Sequence, residues 1–328
     1  MGRAERLKLI ESLEKTRKST IICYITGDRE NISTRIAPDV IPVFYRHLEL
    51  FGKKDKIELF LYTRGGDVLT PNRLVHLFRE YCKHFNLLVP FRAYSAGSLI
   101  CLGADEIVMT RMGELGPIDP SVVNAFNPQD PTNPSARVPV SVEDVYAYFN
   151  LAREKGGLNG EEALAEAFTL LVERIHPLAL GNVQRNYLLI RSLAERLLRL
   201  RCKGCVDKEF KQIIDNLTEK MYAHNHMIPR KEARETLGLP VVDPSDKEED
   251  LLWKLYLDYA EDMELRDAFN PADLLRGNRT EFEVISGIVE SRLGQDAFIF
   301  DGVVEKRDFP EPGQINVSIV KQSWHTLI

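Results

Sequence analysis

Two stretches decide how this chain is read: "IELFLYTRGGDVLT" (57–70) and "LLVPFRAYSAGSLICLGADEIVMT" (87–110). Each begins as a β-rich apolar run, breaks into small residues and then resumes with helical spacing. The first break is Arg64-Gly65-Gly66-Asp67 and the second is Ser95-Ala96-Gly97. Further strand-like runs stand at 20–26 ("TIICYIT") and 106–110 ("EIVMT"). Between the runs lie helical patterns, "APDVIPVFYRHLELFG" (37–52) and "DVLTPNRLVHLFREYCKHF" (67–85). In the second, Leu74, Phe78, Tyr81 and Phe85 fall on one helical face. Strands alternating with helices predict an α/β fold with a parallel sheet and crossover helices.

In open parallel sheets, ligands meet the fold at the carboxyl ends of the strands, where both breaks fall. Paired glycines there let the backbone approach a ligand and present N–H groups to a developing oxyanion. A serine opening a short helix, uncrowded because Ala96 and Gly97 follow it, is placed to attack a carbonyl polarised by those donors, with the helix dipole favouring the new charge. The bland alternative is that Ser95 is an ordinary helix cap and Gly65-Gly66 an ordinary turn. Ser98 lies further inside the same segment and is the weaker candidate. The pattern is not the G-x-S-x-G elbow of α/β-hydrolases. Nor does Gly65-Gly66-Asp67 carry the Lys-Ser/Thr or G-x-G-x-x-G spacing of a nucleotide loop.

The rest of the chain sets the frame. Hydrophobic residues make up 44% and charged residues 28% of the 328, the composition of a globular protein. The net charge of -6 argues against nucleic acid as a partner. The first eighteen residues alternate charged and apolar types, and no run is long and apolar enough for a membrane span, so a cytoplasmic protein is expected. Five cysteines, an odd number in apolar or helical contexts, fit a reducing compartment. Residues 111–140 read as an exposed loop, and 141–223 as helical, opened by a Ser141 cap. The acidic "DPSDKEED" (243–250) reads as a boundary. It divides the chain into a domain of residues 1–242 and a small C-terminal α+β domain of residues 243–328 holding three more strand-like runs.

"YTRGGDVLTPNRLV" followed in order by "FRAYSAGSLICLGADEIVMTRMGELGPIDPSV" resembles the Clp-peptidase and crotonase-type superfamily, and within it the serine dehydrogenase proteinase family, related to signal peptide peptidase A. Similar features recur as "IHPLALGNVQR" (175–185) and "AHNHMIPRKEARETLGLPV" (223–241). The resemblance implies a spiral of β-α units with helical additions, a serine peptidase or related acyl hydrolase acting on protein or peptide, no cofactor, and a homo-oligomer. Position by position it makes Ser95 the nucleophile and Gly65 and Gly66 the oxyanion-hole glycines.

The general base departs from the pattern. Clp peptidases have a histidine downstream of the serine, where this chain has "LGPIDP" with Asp119. Membrane-type relatives use a lysine on a later helix; in the corresponding "VYAYFNLAREKGGL" (145–158) Lys155 is the sole lysine, and Asn150 stands where one could be expected. A serine needs a base to be nucleophilic at neutral pH, and a lysine with a burial-lowered pKa would serve. The expectation is therefore a Ser95–Lys155 dyad, with His176 and Lys220 in reserve. Two other functional classes share the motif: a crotonase-like acyl-CoA enzyme and an inactive oligomeric scaffold. Cys202, Cys205, His224 and His226 could be drawn as a zinc site. The cysteines fall at a helix end and the histidines in a stretch the resemblance explains, so no metal is expected.

Overall fold

The structure, a computed structural model, describes residues 2–118, 121–122, 124–133, 135–201, 207–218, 226–307 and 314–328. Helix α1 (Arg3–Arg17) leads into strand β1 (Thr20–Thr26), followed by α2 (Val40–Phe51), β2 (Lys54–Tyr62), α3 (Thr70–Tyr81) and β3 (Cys82–Val89). Next come β4 (Arg92–Ala93), α4 (Ala96–Leu102), β5 (Glu106–Met109) and three two-residue strands, β6 (Glu114–Leu115), β7 (Ser121–Val122) and β8 (Val140–Ser141). A helical block holds α5 (Val142–Asn150), which runs on into a π-helical turn (Leu151–Lys155), then α6 (Glu161–Arg174), α7 (Pro177–Arg201) and α8 (Asp207–Thr218). The chain closes with β9 (Ile228–Pro229), α9 (Arg230–Glu235), β10 (Val241–Val242), α10 (Asp246–Asp262), β11 (Arg279–Ser291), β12 (Gly294–Arg307) and β13 (Gln314–Thr326).

Among the described residues, eight strands form one sheet in the order β10-β5-β3-β2-β1-β11-β12-β13. From β10 to β1 the neighbours are parallel, and from β1 to β13 they are antiparallel. This is the α/β class expected from the alternation of patterns. Strand β1 is buried at every position, as befits a strand covered on both faces. Its side chains alternate between two cores. Ile22 and Tyr24 face a large cluster built with α2, α3, α4, α7 and α8, while Ile21, Cys23 and Ile25 face Ile10 and Leu13 of α1 and Leu252, Leu255 and Tyr259 of α10.

Three readings of the sequence change. The helical pattern predicted to run through Phe85 stops at Tyr81, and Phe85 belongs to β3. Pairing of β3 with β2 (Ile57↔Phe85) overrides the local periodicity, yet Phe85 still stacks on Phe78 with ring centroids 4.8 Å apart. The strand predicted over 87–94 is divided: β3 ends at Val89 and β4 pairs with β6 in a separate small sheet. Third, residues 243–328 are continuous with the main sheet through β11, whose Val289 and Ile288 pair with Tyr24 and Ile25 of β1. "DPSDKEED" is the start of α10, where Ser245 and Glu248 form a capping box and acidic residues fill the first turn. Linkers and helix N-termini share this composition, because carboxylates favour the positive end of a helix.

Buried ion pairs tie the last elements to the first. The Arg6 guanidinium reaches Glu290 of β11 at 2.9 Å and Asp258 of α10 at 2.7 Å. Arg17 likewise joins Glu58 of β2 (2.8 Å), Glu106 of β5 (2.6 Å) and Glu248 of α10 (2.9 Å).

Candidate active site

The two breaks lie side by side because the residues leaving β2 and β4 pair with one another. Thr63 N–H donates to the Arg92 carbonyl (2.9 Å) and Tyr94 N–H to the Thr63 carbonyl (3.1 Å). That pairing presses Gly65 against Ser95. A Cβ on Gly65 would stand 2.8 Å from the Ser95 Cβ and 2.9 Å from the Tyr94 carbonyl oxygen, and the backbone there has φ +104°. On its other side the glycine segment meets Ile36, whose N–H donates to the Gly65 carbonyl (2.9 Å) and whose carbonyl accepts from Asp67 N–H (2.8 Å). A Cβ on Gly66 would lie 2.1 Å from the Ile36 oxygen. In this parallel bridge the N–H and C=O of Gly66 point away from Ile36.

The two serines of α4 part company. Ser98 is buried, within hydrogen-bond reach of the carbonyls of Ala93 (2.8 Å) and Gly116 (2.7 Å), and accepts from Gly116 N–H at 3.1 Å. Its hydroxyl pins the loop at Gly116 to the start of α4. Ser95 stands at the N-cap with φ 51° and ψ -109°, and its side chain makes no capping hydrogen bond. A non-glycine residue held at such angles stores strain, a condition that clusters at functional sites. Ser95 is therefore not the ordinary helix cap of the bland reading. Cys101, on the same helix, is no rival nucleophile, because complete burial pushes its thiol up to about 12.

The two glycines expected as oxyanion donors are not equivalent. The Gly65 N–H is already engaged, donating at 3.0 Å to Thr63 Oγ1, which also accepts from Thr26 Oγ1 at 2.7 Å. Gly65 thus supplies close approach and leaves its amide occupied. The N–H groups of Gly66 and Ala96 have no hydrogen-bond partner among the described residues. Ala96 N lies 3.2 Å from the point a Gly65 Cβ would occupy. Sequence reasoning passed over Ala96, although its place directly after the candidate nucleophile is the signal that could have found it.

Ser95 opens into a cleft of about 820 Å³ whose lining includes Arg35, Arg64, Gly66, Asp67 and, from α7, Asn186. Asp67 is committed to starting α3: its carboxylate accepts from Thr70 N–H (2.7 Å), Thr70 Oγ1 (2.6 Å) and Leu69 N–H (3.1 Å). The structure does not bring Lys155 to this cleft. Helix α5 runs on into a π-helical turn with no buried residue, and Lys155 is exposed at its end. His176 is also exposed and outside the lining, stacked on Phe126 with centroids 4.9 Å apart. Lys220 lies outside the described residues, as do Asp119, Cys202, Cys205 and His224. His226 sits 3.1 Å from Glu232.

Residues 2–130, which hold Gly65, Gly66 and Ser95, match the family described as ClpP-like SDH-type serine proteinase. That is the family the sequence resembles, and the matched segment carries the alternating strands and helices of the α/β sheet. An uncharacterized protein of Methanocaldococcus jannaschii is 27% identical over 262 residues, which cover 76% of this chain and 78% of the relative. A second uncharacterized protein of the same organism is 29% identical over 129 residues, covering 36% of this chain and 42% of that protein. Among the described residues, no helix is long and apolar enough to cross a membrane.

Proposed function

We propose that this protein is a serine peptidase or related acyl hydrolase in which Ser95 is the nucleophile. The observation that carries the proposal is the placement of Ser95: strained backbone, no capping bond, in an open cleft and against Gly65. In the reaction the Ser95 Oγ forms a bond to the substrate carbonyl carbon as its proton passes to a base. The carbonyl oxygen becomes an oxyanion that accepts from the Gly66 and Ala96 N–H groups. Collapse expels the leaving amine or alcohol, which takes up the proton, and water then hydrolyses the acyl-Ser95 ester.

No lysine or histidine is among the described residues lining the cleft. The proton acceptor is sought at Lys220: its Ala variant is expected to lose turnover and regain it in part as pH is raised, whereas the Ala variants of Lys155 and His176, which lie outside the cleft lining, are expected to keep it. The substrate is a protein or peptide, and the assembly a homo-oligomer; light scattering that returns monomer alone at micromolar concentration contradicts the latter.

Cleavage of a mixed fluorogenic peptide set by the wild type and by Ser95→Ala tests the proposal. The variant is expected to lose activity by about 1,000-fold or more. Equal cleavage by both removes Ser95 from the chemistry. Absence of cleavage by either, with thermal stabilisation by coenzyme A, favours the crotonase-like reading.

A further inference from the structure

The charged groups lining the Ser95 cleft divide into those already neutralised and those left over. Asp28 accepts from the Tyr62 hydroxyl (2.9 Å) and faces Arg92 at 3.5 Å. Arg29 pairs with Glu264 at 2.7 Å and donates to the Asp267 carbonyl at 2.8 Å. Asp67 is held by the first turn of α3. Arg35, Arg64 and Glu30 remain; all three are exposed and without an ion-pair partner among the described residues. The leftover cations outnumber the leftover anion.

Their position matters more than their number. Arg64 directly precedes Gly65, and Arg35 directly precedes Ile36, the residue whose N–H and carbonyl bracket Gly66. Both guanidinium-bearing residues therefore flank the segment that presents the Gly66 amide to the acyl oxygen. A planar guanidinium matches a carboxylate with two parallel hydrogen bonds, and an unpaired one in a cleft attracts anionic substrate.

The geometry points to a cleft that selects acyl substrates bearing a carboxylate close to the scissile bond, with Arg35 and Arg64 as the specificity-determining residues. This rests on the reading of Ser95 as nucleophile for its meaning, while the recognition itself is measured without turnover. The carboxylate comes either from an Asp or Glu side chain or from a free peptide C-terminus. The two sources are separated by the choice of peptide.

The experiment is fluorescence anisotropy on full-length Ser95→Ala protein with four labelled peptides of one backbone: neutral with an amidated C-terminus, amidated with an internal Glu, neutral with a free C-terminus, and amidated with an internal Lys. At least one carboxylate-bearing peptide is expected to bind about tenfold or more tightly than the neutral one, and the Lys peptide most weakly. Preference for the internal Glu assigns a side-chain carboxylate, and preference for the free C-terminus a terminal one. Arg64→Gln and Arg35→Gln, each in the Ser95→Ala background, are expected to remove most of that preference. Both side chains are exposed, so the thermal midpoint is expected to stay put. Equal affinity for acidic and neutral peptides, no binding by any of the four, or a preference that survives both substitutions overturns the inference. If wild-type protein forms no acyl adduct yet the preference holds and depends on the arginines, Ser95 fails as nucleophile while carboxylate recognition stands.

Discussion

Gly65 and Ser95 are in such close register that a single added carbon on the glycine would stand 2.8 Å from the Ser95 Cβ. The strand-end pairing through Thr63 and Tyr94 enforces this contact, so the glycine backbone and the candidate nucleophile are set as one unit. Gly65→Ala must displace Ser95 or break the pairing, and it also forces a side chain onto a backbone at φ +104°. The variant is expected to lose about 100-fold or more in acylation rate and about 1–3 kcal/mol of stability. Stopped-flow acylation and urea unfolding read the two effects separately.

The strain at Ser95 yields a second prediction with the opposite sign for stability. At φ 51° and ψ -109° a glycine is at ease and a serine is not. Ser95→Gly is expected to raise stability by about 1 kcal/mol while abolishing acylation. Ser95→Ala abolishes acylation without the gain, because its Cβ keeps the strain. Urea midpoints of the two variants, compared with wild type, check this; an equal shift in both contradicts it.

Much of this was legible in the sequence, and the reason is physical. Strands β1 and β2 are covered on both faces and so read as apolar runs, and the breaks after β2 and within 90–97 stand out against them. Ser95 and Ser98 could be ranked by their distance from the break. What was illegible depends on distant partners. Occupation of the Gly65 amide by Thr63, itself held by Thr26, needs a contact spanning 37 residues. Phe85 keeps its burial but changes element because β2 recruits it. The pairing of β11 with β1, and the ion pairs of Arg6 with Glu290 and Asp258 beside it, join positions far apart in the sequence and carry no local signal.

That ion cluster carries a third prediction. Arg6 is almost wholly buried, and removing it takes away the guanidinium that faces Glu290 and Asp258 inside the protein, leaving Glu290 with Arg3 at 3.1 Å and the Tyr259 hydroxyl at 2.9 Å. Arg6→Met is expected to destabilise the fold by about 3–5 kcal/mol. Denaturant unfolding measures the loss; a change below about 1 kcal/mol would mean that the cluster does not hold α1, α10 and β11 together.

Asp296 gives a pH-dependent prediction. Burial works to raise its pKa, but hydrogen bonds from His47 Nε2 (2.9 Å), Thr326 Oγ1 (2.8 Å) and Arg46 prevail and hold it below the ordinary carboxylate value. A depressed pKa contributes stability that is fully present above the unfolded-state value of about 3.9 and is lost as pH falls through the lower folded-state value. Asp296→Asn is therefore expected to cost about 2 kcal/mol at pH near 7, with the gap to wild type narrowing below a pH of about 4. Urea midpoints for both proteins across that range decide it, and a gap independent of pH contradicts the assignment.

The central claim is that Ser95 is the residue that becomes acylated or phosphonylated. Incubation with a fluorophosphonate, proteolysis and peptide mass analysis test it most directly. A single adduct on Ser95 is expected in wild-type protein and in Lys155→Ala, and none in Ser95→Ala. An adduct that persists in Ser95→Ala, or one that maps to Ser98, would contradict it.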